Sequence, residues 1–187
     1  MNSKILVSAL YYKASCEGFK WPWQAGFISD QIAKHAHGSF SHEELLFHKD
    51  VIKAAIGEGQ WDGFLNDDQC FSSSSRDGGC RFKSAALVLK HPERWRIIPV
   101  TRDPSKALTM LQFCKAQDGK KYDFRGVISF LLPKMSENPN KWYCSEVCDR
   151  AKRIVGLWPS FYRSHPTDSY WIQLYLSKCA GFKQTEK

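Results

Sequence analysis

The stretch KWYCSEVCDRAKRIVGL, residues 141–157, predicts a helix with a cysteine at its first turn. The helical pattern runs from Ser145, directly after Cys144, and ends near Gly156 and Pro159. At a helix N-terminus the unpaired backbone amides and the helix dipole favour an anion, which for a cysteine is the thiolate. Two interpretations follow for Cys144: a small apolar side chain that packs the helix onto its neighbours, or a nucleophile.

A nucleophilic cysteine needs a base, and the best candidate among the six histidines lies in a second stretch, SHEELLF, residues 41–47. This stretch has the pattern of a β-strand, in which positions 42, 44 and 46 project to one face. Glu44 then lies two strand steps of about 3.3 Å each from His42. A carboxylate there can orient the imidazole, as the third member of a triad does. The same alternation also fits an exposed polar face.

A third stretch, CFSSSSRDGGCRF, residues 70–82, predicts a β-hairpin. Its four serines can line a polar cleft, and Asp77 to Gly79 have the composition of a tight turn. Asp77 has a second interpretation, as a carboxylate that reaches a catalytic histidine from a neighbouring strand. We favour the turn.

The order of the predicted elements indicates an α+β fold with an antiparallel sheet, because a parallel α/β sheet requires strands and helices to alternate. Helix N-terminal signals occur at Asp103, a predicted N-cap, and at Pro104. Strands are predicted at residues 4–12, 39–48, 51–57, 69–75, 80–88 and 94–100. Helices are predicted at residues 28–36, 104–118, 123–132, 145–155 and 166–178. No linker interrupts the 187 residues, so a single domain is expected.

The cysteine content indicates a reducing compartment, and the hydropathy indicates that no segment crosses a membrane. The seven cysteines are an odd number and include no Cys-x-x-Cys pair, whereas secreted disulfide scaffolds are shorter and evenly paired. No apolar run approaches the roughly 20 residues of a membrane-spanning helix, and the N-terminal segment lacks the features of a secretory signal. We expect free thiols, no transmembrane segment and a cytoplasmic location.

No sequence motif indicates a cofactor or a metal. The chain contains no Walker loop, no G-x-G-x-x-G, no G-x-S-x-G and no H-E-x-x-H. Cys16, His35, His37 and His42 offer metal-ligand chemistry, but their spacings match no zinc-finger pattern. The expectation is a protein without cofactor and without metal.

Five segments together resemble the circularly permuted NlpC-like papain-fold cysteine hydrolases, a family with bacterial and phage members that is distantly similar to lecithin:retinol acyltransferases. The segments are GFISDQIAKHAHGSFSHEELLF (26–47), CFSSSSRDGGCRF (70–82), YDFRGVISF (122–130), KWYCSEVCDRA (141–151) and HPTDSYW (165–171). The resemblance covers residues 26–171 and leaves residues 1–25 as an extension outside the family pattern. It implies a papain-like, circularly permuted domain with a central antiparallel sheet or barrel packed with helices.

The resemblance also implies site residues and a reaction class. Cys144 would be the nucleophile and His42 the base, and the permutation explains why the histidine precedes the cysteine. Glu44 is the first choice for the third residue, with Ser73 or Asp77 as substitutes. The expected substrate is an amide or ester in a peptide, protein or lipid, cleaved or transferred through a thioester acyl-enzyme.

The alternative is a non-catalytic binding protein with a basic surface. Lysine and arginine outnumber aspartate and glutamate by 27 to 19, giving a formal charge of +8, and seven tryptophans are interspersed. That composition suits nucleic acid or a host protein surface, although the positive charges are scattered and form no long run. An enzyme is the preferred reading.

Overall fold

Five antiparallel strands form one sheet in the computed structural model, which describes residues 4–13, 40–57, 67–128, 140–159 and 165–182. The strands are β1 (Val7–Lys13), β2 (Phe40–Phe47), β3 (Gln69–Ser74), β4 (Gly79–Ser84) and β5 (Trp95–Thr101). Their order across the sheet is β4-β3-β2-β1-β5. Strand β2, which carries His42, is therefore the central strand and is flanked on both sides.

Six α-helices accompany the sheet in the described ranges, which makes the fold α+β, as predicted. They are α1 (Lys49–Ile56), α2 (Ala85–Val88), α3 (Pro104–Gln117), α4 (Phe124–Ile128), α5 (Cys144–Arg153) and α6 (Pro166–Cys179). None of the helices described is long and apolar enough to cross a membrane.

Several element boundaries follow from local signals that the sequence displays. Asp103 caps α3, since its carboxylate accepts hydrogen bonds from the amides of Ser105 at 2.9 Å and Lys106 at 3.3 Å. The hairpin between β3 and β4 turns at residues 75–78, and Gly78 adopts a φ of +83° that side chains disfavour. The predictions for α3 and for this hairpin are confirmed.

One predicted strand is wrong and another is too long. Residues 51–56, predicted as a strand with Gly57, belong to helix α1: its alanines favour a helix, and Ile52 is buried on the side that faces the core. The strand predicted over residues 80–88 ends at Ser84, where the chain turns into the short helix α2. The helix predicted at residues 28–36 lies outside the described residues, and the one predicted at 123–132 is described only as far as Ile128.

The main hydrophobic core lies between one face of the sheet and helices α3, α5 and α6. The sheet contributes large buried side chains, including Tyr11, Leu45, Phe47 and Phe71, and α5 contributes Val147 and Ala151. A smaller cluster covers the opposite face and contains Leu10, Leu46, Cys70, Ala85 and Trp95. His42 and Glu44 point to this second, less covered face, because side chains alternate along β2.

A buried ionic cluster connects α5 to the sheet. The Lys152 Nζ atom lies 2.8 Å from Glu43 Oε1 and 2.6 Å from Asp149 Oδ1, and all three side chains are fully inaccessible. The ammonium also lies 3.7 Å from the centre of the Trp158 ring. Ser169 Oγ of α6 donates to Asp149 Oδ2 at 2.7 Å, so the cluster joins β2, α5 and α6.

Strands β2 and β3 separate at the end that carries His42. Their backbone pairing runs from Phe47↔Gln69 to Leu45↔Phe71 and stops there. Beyond it, Ser72 Oγ donates to the Glu43 carbonyl at 2.6 Å. The Cys148 thiol of α5 lies 3.7 Å from that carbonyl and 3.8 Å from the carbonyl of Phe71. The first turns of α5 therefore lie against the gap between the two strands.

Lys152→Met is expected to destabilise the fold by about 3–5 kcal/mol, because the change leaves the Glu43 and Asp149 carboxylates buried without their cation. Urea unfolding followed by circular dichroism measures the change. Arg150→Met is the matched control: it removes the same charge from an exposed position of the same helix and should cost within about 0.5 kcal/mol. Equal unfolding midpoints for the two variants would contradict the structural role of the cluster.

Candidate functional site

His42 and Glu44 are in direct contact on the open face of β2. His42 Nε2 lies 3.0 Å from Glu44 Oε1, which confirms the prediction that the two side chains share a face. The Trp95 ring packs edge-on against the imidazole, with ring centres 6.3 Å apart. The imidazole is therefore held from two directions, by a carboxylate and by an aromatic ring.

Glu44 is itself fixed by Arg81 of β4. The guanidinium contacts both carboxylate oxygens, with Nη2 2.7 Å from Oε1 and Nη1 3.3 Å from Oε2. Burial alone would raise the pKa of Glu44, but the hydrogen bond and charge of His42 and the ion pair with Arg81 lower it below its usual value. Glu44 thus stays ionised beside the imidazole.

Asp77 contacts Arg81, which contacts Glu44, and so reaches the imidazole only through these two side chains. Its Oδ2 accepts a hydrogen bond from Arg81 Nε at 2.7 Å, and its Oδ1 lies 3.3 Å from Lys83 Nζ. Partial burial opposes ionisation, yet these two cations lower the pKa of Asp77. The hairpin carboxylate therefore supports Arg81, which in turn supports Glu44.

Cys144 begins helix α5 and is 3 % exposed. The first intrahelical hydrogen bond is donated by Val147 to the Tyr143 carbonyl at 3.2 Å, so the amides of Cys144 and Ser145 precede the helical ladder. Glu146 accepts a hydrogen bond from the Tyr143 amide at 3.3 Å, as a glutamate at this position of a helix N-terminus commonly does. The glutamate of the Cys-Ser-Glu box caps the helix.

The segment that leads into α5 is anchored through the Trp142 carbonyl. Ser73 Oγ donates to this carbonyl at 2.6 Å, and the Asp123 amide donates to it at 3.0 Å. Trp142 in turn donates its own amide to the Lys121 carbonyl at 3.3 Å. Ser73 therefore positions the backbone two residues before Cys144, and its hydroxyl is committed there and not at the His42 ring.

The Cys144 sulfur lies within hydrogen-bonding reach of the His42 imidazole. Burial lowers the pKa of His42 because it disfavours the imidazolium. The negative charge of Cys144, a hydrogen bond to its sulfur and the Glu44 carboxylate outweigh burial and raise that pKa to about 9. These contacts favour the imidazolium form of His42 at neutral pH.

Tyr122 is a further cavity residue on which the charge of Cys144 acts. It is largely buried, and burial raises the pKa of its hydroxyl, as do the charges of Cys144 and Asp123. The hydroxyl therefore remains protonated and can donate a hydrogen bond. Gly79 allows the neighbouring backbone to approach this segment, because a Cβ at Gly79 would collide with the carbonyl of Lys120.

A cavity of about 540 Å³ opens on the sheet face that carries His42 and Glu44. Its walls come from the hairpin between β3 and β4 on one side and from residues 87–95 on the other, and Tyr122 completes the lining. Cys144 adjoins the cavity through its contact with His42, which lines it. A cavity of this size can enclose the reacting part of a substrate.

The structure brings Cys144, His42 and Glu44 together and directs the two alternative third residues elsewhere. Ser73 bonds to the Trp142 carbonyl, and Asp77 pairs with Arg81 and Lys83.

Cys144 differs from the other described cysteines. Cys70, Cys80, Cys114 and Cys148 are buried, and burial raises the pKa of each thiol, to about 11 for Cys80. Cys179 is exposed on the last turn of α6, and Cys16 lies outside the described residues. Cys144 combines burial with a histidine partner.

In the described part of the chain, no group of three or more histidine, cysteine, aspartate or glutamate side chains could hold a metal ion. Cys16, His35 and His37, which had offered such chemistry, lie outside the described residues.

Arg81, Tyr122 and Trp142 are site residues that the sequence reading did not assign. Arg81 acts across the sheet, and pairing between β3 and β4 places it on the same face as Glu44 only once the strand order is known. Tyr122 and Trp142 each stand inside a segment that carries the family resemblance, and a short parallel bridge joins them. The position of Tyr122 and Trp142 within those segments is the sequence signal that could have identified them as site residues.

No protein-family model matches the chain, and no curated protein matches it.

Glu44→Gln is expected to move the pKa of His42 down from about 9 toward its ordinary value, because the substitution removes the carboxylate charge that stabilises the imidazolium. An NMR titration of the histidine ring nitrogens measures this pKa. Asp77→Asn is the matched control, since Asp77 contacts Arg81 and not the ring. If Asp77→Asn lowers the pKa of His42 as much as Glu44→Gln does, the assignment of Glu44 as the orienting group is wrong.

Proposed function

We propose that the protein is a papain-like, circularly permuted cysteine hydrolase or acyltransferase that acts on an amide or ester. One observation carries the proposal: a cysteine at the start of α5 contacts a histidine, which contacts a buried and ionised glutamate. This is the nucleophile–base–orienter chain of cysteine hydrolases. The order of the elements, with β2 and its histidine before the cysteine helix, supports the permuted arrangement.

The reaction starts with proton transfer from the Cys144 thiol to His42. The thiolate attacks the carbonyl carbon of the substrate, a C–S bond forms, and the carbonyl electrons move onto oxygen. The oxyanion then collapses and expels the amine or alcohol, which takes the proton from His42. A thioester links the acyl group to Cys144.

His42 next activates a water molecule or another acceptor that attacks the thioester. The acceptor loses its proton to His42, the C–S bond breaks, and the acid or transferred acyl product leaves. Glu44 remains ionised throughout and stabilises the imidazolium at each stage. With water the outcome is hydrolysis, and with another nucleophile it is acyl transfer.

Two kinds of hydrogen-bond donor support the oxyanion in this proposal. The amides of Cys144 and Ser145 lie at the start of α5, where the helix dipole also favours negative charge. The protonated Tyr122 hydroxyl is a third candidate, since Tyr122 lines the cavity and the charge of Cys144 acts on it.

The free thiols support a reducing compartment such as the cytoplasm, because all six described cysteines are unpaired. The alternative proposal, a basic binding protein for nucleic acid or a host protein, requires no reactive thiol. Thiol reactivity therefore separates the two functions.

Cys144 is expected to be the first cysteine alkylated by iodoacetamide near neutral pH, ahead even of the exposed Cys179, because it is paired with an imidazolium. Brief labelling, followed by peptide mass spectrometry, gives the order of modification. Preferential labelling of Cys179, with Cys144 unmodified in the folded protein, would contradict the nucleophile assignment and favour the binding function.

His42→Ala is expected to reduce the alkylation rate of Cys144 by about 100-fold or more, since it removes the base but leaves the core intact. Its matched control is His48→Gln. His48 lies at the other end of β2, bonded to Ser8 and Asp68, and should be dispensable for the reaction. Circular dichroism verifies that both variants are folded, and an unchanged rate in folded His42→Ala would overturn the pairing.

A direct test of the activity uses an activated ester such as p-nitrophenyl acetate. The expected product is an acetyl group on Cys144 that hydroxylamine removes, as it removes a thioester. Cys144→Ser should give no hydroxylamine-sensitive adduct at this position.

A further inference from the structure

The cavity beside His42 and Glu44 has an excess of positive charge. Among the described residues of its lining are five lysine and arginine side chains against three carboxylates. The cations are Arg76, Arg81, Lys83, Lys90 and Arg94, and the carboxylates are Glu44, Asp77 and Glu93. In a recess bounded by protein, such an imbalance raises the local concentration of anions.

The cations fall into two groups according to their partners. Arg81 and Lys83 are paired with Glu44 and Asp77, and these contacts maintain the catalytic arrangement. Arg76 and Lys90 form no ion pair with any of the described residues. Arg76 extends from the tip of the β3–β4 hairpin, and Lys90 lies on the opposite wall, before β5.

Arg94 is a further cation on the wall of the cavity that carries Lys90. Its Nη1 donates a hydrogen bond to the Tyr12 hydroxyl at 2.8 Å, and both side chains line the cavity. This contact places the guanidinium on the wall of the cavity.

We infer that this cavity selects acyl substrates that carry an anionic group, a carboxylate or a phosphate, near the scissile carbonyl, with Arg76 and Lys90 as the specificity-determining cations. The inference rests on the proposed function, since it assigns a substrate class to the same site. Arg76 and Lys90 are assigned a role in binding and none in the chemical step. Arg81 is excluded from that role because it holds Glu44.

The test compares iodoacetate, which is anionic, with iodoacetamide, which is neutral and otherwise similar in size. Both alkylate the sulfur with loss of iodide, so the ratio of their rates reports the electrostatic potential at the thiol. The exposed Cys179 of the same molecule serves as the internal reference, because it experiences the overall charge of the protein but not the cavity. The expected ratio at Cys144 exceeds that at Cys179 by about tenfold and declines with added salt.

The double variant Arg76→Glu/Lys90→Glu should bring the ratio at Cys144 close to that at Cys179, while the iodoacetamide rate stays near that of the unmodified protein. Lys4→Glu/Arg150→Glu is the matched control. It changes the net charge equally at two exposed positions outside the cavity and should preserve the preference for iodoacetate.

Protection from alkylation distinguishes the two sources of negative charge. Slowing of the iodoacetamide reaction at Cys144 by glutarate assigns a carboxylate substrate, and slowing by inorganic phosphate assigns a phosphate. Failure of both to protect Cys144, equal ratios at Cys144 and Cys179, or loss of the preference in the control variant would each overturn the inference. A Cys144 thiol that resists both reagents would instead overturn the proposed function.

Discussion

The buried contact between Lys152 and the carboxylates of Glu43 and Asp149 fixes where helix α5 lies on the sheet. Removing one partner from such a cluster is costly, because the remaining charges lose both water and counter-charge. Burial and the charge of Asp149 raise the pKa of Glu43, and the charge and hydrogen bond of Lys152 oppose them and favour the carboxylate. The cluster attaches α5 to β2 and so helps to set the position of Cys144, at the first turn of that helix.

Strand β2 contributes charged and polar side chains to both faces of the sheet. Glu43 faces the helices and holds α5 through Lys152, whereas His42 and Glu44 face the cavity. The separation of β2 from β3 past Leu45 lets the start of α5 approach the strand from the helical side. Alternation along one strand thus couples a structural ion pair to the candidate catalytic pair, so the distance between thiol and imidazole depends on core packing.

The polar groups around the site form successive layers of support. Glu44 orients His42, Arg81 holds Glu44, and Asp77 holds Arg81. On the other side, Ser73 anchors the backbone that leads into Cys144. A side chain locked by such partners loses less entropy when the reaction begins, which is the advantage of a preorganised site. The cations not used in this support, Arg76 and Lys90, remain available on the cavity wall for an anionic substrate group.

The sequence by itself determined the α+β class, the hairpin and the Asp103 cap, because these depend on local periodicity and on turn and capping residues. It also determined that His42 and Glu44 meet, since two residues on one strand face are neighbours in any fold. The strand predicted at residues 51–57 is wrong because a short apolar run does not distinguish strand from helix. Only the tertiary structure decided that Arg81 holds Glu44, that Ser73 and Asp77 act at a distance from the ring, and that Cys144 reaches His42. Each of these contacts joins residues distant in the chain, and their proximity follows from strand order and helix packing, which no local pattern encodes.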